Sequence, residues 1–266
     1  MGAGVLAAQR KPANVIRALI IGAVALAAII FAIFVPPVAQ SPSYHHFADT
    51  RSVLGIPNGW NVLSNIPFLI VGLWGLWFLR SRPEHSARLA HRIFFFGVAL
   101  TCFGSAYYHW APDNARLVWD RLPMTLGFMS LFAAIISERI DSRLGSGLLV
   151  PLLLIGAGSV AYWNWTERQG AGDLRPYLLV QFLPIVLIPL VIALYPARCT
   201  RTGYIFGVIG FYLLAKVFEM ADVPIHQVVG VSGHTWKHLA AAFAVYWLLR
   251  MLQLREPVAR TSAVGA

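Results

Sequence analysis

Eight stretches of about twenty mostly apolar residues run through this chain, at 14–35, 60–79, 92–110, 118–137, 146–163, 175–195, 203–221 and 234–252. A helix of that length and polarity matches the thickness of a bilayer. Of the 266 residues, 58% are hydrophobic and 12% charged, about half the charged fraction of a soluble domain. No single water-soluble core could bury that much apolar surface. The expected fold is all-α, a polytopic membrane helix bundle built as one unit, since the apolar runs cover the whole length. The first run follows Arg10, Lys11 and Arg17 and is too long for a signal-peptide core. Pro36-Pro37 ends it without a small-residue cleavage site, so it is expected to remain as a helix. Pro83, Pro112, Pro151 and Pro257 are expected to punctuate other helices.

The net charge of +10 does not point to nucleic acid, because the basic residues stand singly or in small groups between apolar runs. They behave as topology signals. With the N-terminus in the cytoplasm, fourteen Lys or Arg residues fall on the cytoplasmic side. Five fall outside: Arg51, Arg116, Arg121, Arg168 and Arg175. An even number of spans, with both termini cytoplasmic, preserves this asymmetry, and a seven-span count destroys it. Cys102 and Cys199 fall at different depths on this topology, so no disulfide is expected.

Polar residues in apolar helices are costly, and each one raises a functional question. The last run opens Ser232-Gly-His-Thr-Trp-Lys-His238, which puts His234 and His238 on one helical face a turn apart. Alone, two such histidines commonly just hydrogen-bond a neighbour. However, Ser105 and His109 end the third run with the same spacing, and Asp120 opens the fourth, eleven residues after His109. The topology brings His109, Asp120, His234 and His238 to one membrane depth, towards the outer side. Taken singly, Asp120 reads as an interfacial partner of Arg121 or Arg116, and Ser105 as a hydroxyl bonded to its own helix. Taken together, three histidines with an open fourth position match a catalytic zinc site. Lys216 and Glu219 read as an ion pair within one helix, with substrate contact the lesser alternative. His45 and His46, in the outer loop, and His85 and His91, in a basic cytoplasmic loop, are expected to be solvated.

These stretches resemble the alkaline ceramidases, within the superfamily of seven-helix membrane hydrolases that includes the adiponectin-type receptors. The match runs from about Asn58 to Arg250. It rests on Trp60-Asn61-Val-Leu-Ser64-Asn65, Ser105-x-x-x-His109, Asp120-Arg-Leu-Pro-Met124 and His234-x-x-x-His238. The resemblance implies a seven-helix core at 58–252, preceded by one extra N-terminal helix and outer loop at 1–57 and followed by a disordered tail at 253–266. It implies Zn2+ held by His109, His234 and His238, with Asp120 as acid–base group and Ser105 as oxyanion donor. It also implies a Ca2+ site, to which Asp49 would give one ligand. Asn58 stands where the family has Glu, and the other acidic positions are missing, so calcium dependence is doubtful.

The resemblance implies an amidohydrolase that cleaves the N-acyl amide of ceramide to a sphingoid base and a fatty acid. Alternatives are a hydrolase of another N-acyl or ester lipid, and a receptor or lipid-binding protein with a structural zinc. A transporter is disfavoured, since the sequence has neither internal repeats nor paired broken helices. The expected partner is a lipid. The Arg- and Ala-rich composition leans towards a bacterial inner membrane.

Overall fold

A computed structural model describes residues 2–82 and 85–258. Pro83 and the last eight residues of the tail lie outside the described residues. The helices are α1 (Gly2–Phe34), α2 (Gly59–Leu63), α3 (Ile66–Arg80), α4 (Arg88–Trp110), α5 (Asn114–Arg139) and α6 (Ser142–Arg168). They continue with α7 (Arg175–Leu194), α8 (Tyr204–Met220), α9 (Asp222–Val229) and α10 (Gly233–Leu254). A single 3-10 turn, Pro42–His45, interrupts the loop after α1. No strand forms among the described residues; Val53 with Ile56 and Cys199 with Pro257 make isolated bridges only.

Side-chain caps set several of these boundaries. Asp113 accepts from the Arg116 amide at the start of α5, and Asp141 accepts from Arg143 and Leu144 at the start of α6. Ser232 caps α10 by accepting from the His234 amide. The run expected at 60–79 is broken into α2 and α3 at Ser64-Asn65, just before Pro67, which has no amide hydrogen to give. The Asn65 side chain donates to the carbonyls of Asn61 and Val62 across the break. Pro151, expected at a helix end, instead lies inside α6, and α5 and α7 likewise enclose Pro123, Pro184 and Pro189. Helices packed among others tolerate such residues because neighbours re-satisfy the freed carbonyls.

Among the described residues, five helices are long and apolar enough to cross a membrane: α1, the α2–α3 pair, α4, α6 and α7. The count is six if α8 and α9, bent by 83° at Ala221, form one span. α5 and α10, with 26 and 22 residues, have the length but carry Asp120, Arg121 and Lys237 near their starts. The eight spans expected from sequence require both.

Neighbours in sequence pack side by side from α3 through α6, α7 joins α5 and α6, and α8 and α3 flank α10. Phe68, Phe95, Val191, Leu248 and Leu249 fill the centre. α1 packs along α7 at the outside. It is tied there by Arg175, which donates to the Val35 carbonyl at 2.6 Å. Large apolar side chains such as Phe31, Phe103, Leu154 and Phe206 face outward, as a lipid-facing surface requires.

α4 and α5 approach closely at Gly104, where an added Cβ would strike the Trp119 carbonyl oxygen. That atom is backbone and cannot swing aside, so the small residue allows the helices to touch beside Ser105 and Asp120. Gly104→Val is expected to destabilise the protein in detergent by about 1–3 kcal/mol, read as a lower midpoint of thermal unfolding. Gly147→Val, at a position with open space around it, is the control and is expected to leave the midpoint nearly unchanged.

Candidate metal centre

His109 lies in the last turn of α4, and His234 and His238 lie in the first two turns of α10. Their rings form a nearly equilateral triangle, with centroid separations of 4.7 Å for His109–His234 and 4.9 Å for the other two pairs. One nitrogen from each lies within 4.8 Å of the others, and all three residues are buried.

The start of α10 is fixed by bonds from three directions. The Asp222 carboxylate accepts from the His234 amide at 3.0 Å and from the Ser232 hydroxyl, while its other oxygen accepts from the Ala48 amide at 2.8 Å. Thr235 donates to Asn61 Oδ1 at 2.9 Å, tying α10 to α2. The Asn58 side chain, in a left-handed backbone conformation, donates to the His109 carbonyl at 2.9 Å. The ring of Phe47 covers His109 and His234, with its centroid 4.7 Å from each.

Whether these residues suit a metal can be judged from the ring nitrogens. Ser64 Oγ lies 2.7 Å from His238 Nδ1, which fixes that ring and leaves its Nε2 for an ion. Both nitrogens of His109 are buried with no hydrogen-bond partner, although the ring is 0% exposed. A buried imidazole left unbonded is expensive, and an ion at the centre of the triangle would engage one of the two nitrogens. Three imidazoles are a donor set suited to zinc or another transition metal. The residues present fit the group.

Asp120 and Ser105 are buried where α4 and α5 meet. Together with His238 they line a cavity of about 340 Å³ bounded by α4, α5, α7, α8 and α10. Its wall is mostly apolar, including Phe68, Val98, Leu131, Ile188 and Val245. Gln181 of α7 donates to the Tyr212 hydroxyl of α8 at 2.7 Å across one side. The alternative ion pairs for Asp120 do not form. Arg116 pairs with Asp113, and Arg121 turns to Gln40 and a set of aromatic rings.

Lys216 and Glu219 do pair, but not in isolation. Glu219 also accepts from Lys237 at 2.6 Å and from the Tyr44 hydroxyl at 3.0 Å, and all four side chains line the cavity. Lys237 Nζ is 3.3 Å from His234 Nε2, which links this charge cluster to the triangle. Asp49 lies in the loop before α2 with its carboxylate held by Arg51, whose Nε donates at 2.8 Å. The Arg51 guanidinium keeps the Asp49 carboxyl below the usual carboxylate range. Asp49 and Asn58, the positions matched to a calcium site, are therefore each engaged elsewhere.

Two expectations about histidines need correction. His91 is not in a solvated loop but buried within α4, with Nδ1 3.9 Å from Glu138 Oε1. With His85 it forms a second group of ligand-type atoms, at the opposite end of α4 from His109. Arg255 already engages that glutamate at 2.7 Å. His45 is partly buried and bonded, 3.0 Å from the Tyr108 hydroxyl and 2.9 Å from Asn114 Oδ1.

Neither the models of known protein families nor the curated proteins match this chain. The geometry therefore stands alone: a polytopic all-helical membrane protein with a buried three-histidine group that could hold a metal ion. Sequence reasoning gave no site role to Ser64, Asp222, Phe47 or Lys237. Lys237 carried the clearest signal, as a cation between His234 and His238 on one apolar helix. Ser64→Ala is expected to weaken metal binding by about 10–100-fold without unfolding the protein, measured by competition with a chromogenic chelator.

Proposed function

We propose that this protein is a metal-dependent hydrolase of a lipid amide, with ceramide as the first substrate to test. The observation that carries the reading is a buried three-histidine group that shares His238 with an apolar cavity whose wall also holds Asp120 and Ser105. Zinc is the ion the donor set favours. His109, His234 and His238 would hold it, and when bound it would supply Lewis acidity towards a carbonyl and make water more acidic.

The chain's own residues supply the rest. The apolar wall takes the acyl chain and keeps bulk water from the amide. Asp120 accepts a proton from the attacking water as the C–O bond forms and then gives it to the amide nitrogen, so that the C–N bond breaks with the amine leaving neutral. Ser105 is the hydroxyl donor available for the carbonyl oxygen as charge builds on it. Ser64 holds His238 at its angle. Products are a fatty acid and an amine.

In this reading α5 and α10 also cross the bilayer. That gives eight spans, an extra α1 outside a seven-helix core, both termini in the cytoplasm and the site towards the outer leaflet. The charged residues of α5 and α10 that weaken their hydropathy are the site residues themselves, which face the bundle interior. A second reading keeps the chemistry and changes the lipid. The buried Arg121 on the cavity wall favours it, because ceramide has a neutral head group.

The test is release of labelled fatty acid from ceramide by the detergent-purified protein, with metal content measured beside it. Turnover is expected in the unmodified protein, and His109→Ala is expected to lose both the metal and turnover to background. Turnover that persists in metal-free His109→Ala protein would overturn the reading.

A further inference from the structure

Arg121 follows Asp120 on α5, is 5% exposed and lines the cavity. Its guanidinium lies over three aromatic faces, 4.3 Å from the centroid of Trp163, 4.7 Å from Tyr177 and 5.7 Å from Tyr44. One terminal nitrogen, Nη2, donates to Gln40 Oε1 at 2.5 Å. The other, Nη1, is buried with no hydrogen-bond partner. Among the described residues no carboxylate lies within ion-pair distance of it.

The aromatic faces lower the cost of burying the cation and hold its plane. They do not accept the in-plane N–H of Nη1, and a buried charged donor left unbonded is strongly unfavourable. The wall carries an excess of positive charge. Lys216 and Lys237 share Glu219, so three cationic side chains face two carboxylates, Glu219 and Asp120. A planar guanidinium held flat, with one edge unpaired, is shaped for an oxyanion.

We infer that Arg121 receives an oxyanion on the head group of the bound lipid, so that the preferred ligand is an N-acyl lipid with an anionic head rather than a neutral one. This rests on reading the cavity as the lipid site. It concerns recognition and not the hydrolytic step. The acyl chain would lie against the apolar wall formed by Phe68, Val98, Leu131, Ile188 and Val245. Arg121 acts as a binding residue, and Gln40 with the three rings positions it.

The test is equilibrium binding to the full-length purified protein, comparing N-oleoylglycine with the neutral N-oleoylethanolamine before and after the metal is stripped by chelation. N-oleoylglycine is expected to bind roughly tenfold more tightly or better. The preference should survive stripping, vanish in Arg121→Gln and return in part in Arg121→Lys. Affinity for N-oleoylethanolamine should be unchanged in both variants, which shows that the cavity is intact. Equal affinities in the unmodified protein would overturn the proposal, as would a preference that disappears with the metal. Oleate bound in place of N-oleoylglycine, with the same dependence on Arg121, would overturn the head-group assignment. Because binding is the readout, failure to hydrolyse any amide would sink the hydrolase reading and leave this result standing.

Discussion

Polar atoms buried between lipid-facing helices can be satisfied only by one another, by backbone groups or by an ion, and one end of this bundle is organised by that demand. His238 finds Ser64, and the His234 amide finds Asp222 and Ser232. His109 finds no hydrogen-bond partner for either ring nitrogen. Where so much else is bonded, an unbonded imidazole facing two others is the strongest sign that the arrangement exists to hold something. The close approach of α4 and α5 at Gly104 belongs to the same design, since Ser105 and Asp120 follow directly at that crossing.

The segment between α1 and α2 closes this end of the molecule. Gln40 bonds Arg121, Tyr44 bonds Glu219, Phe47 lies on two of the histidines and the Ala48 amide bonds Asp222. Each contact reaches a residue on a different part of the site. Acting together they exclude water from the triangle, and that exclusion strengthens every electrostatic interaction beneath. The bend between α8 and α9 serves the same end, because it carries the chain from Glu219 on one helix to Asp222 at the start of the next.

Charge on the cavity wall is shared unevenly. Glu219 serves two lysines and a tyrosine, whereas Arg121 is held by aromatic faces and an amide oxygen. The first arrangement is self-contained and suits a structural role. The second leaves one edge of a cation unpaired in an apolar surround, which suits recognition.

The sequence by itself determined that this is an all-helical membrane protein, because runs of about twenty apolar residues have few other uses. It also brought out His109, His234 and His238 as one group, since four-residue spacing on a helix fixes a shared face and the topology fixes a shared depth. What it left undecided depended on which helix faces meet. Only the tertiary structure showed that Arg121 turns away from Asp120 to aromatic rings, that His91 is buried and that Ser64 supports His238. It also broke the second run at Ser64-Asn65 and carried α6 straight through Pro151. The reason is physical: periodicity along one helix records which side of it is polar. The partner that satisfies that side lies on another helix, far away in the chain, and only packing brings the two together.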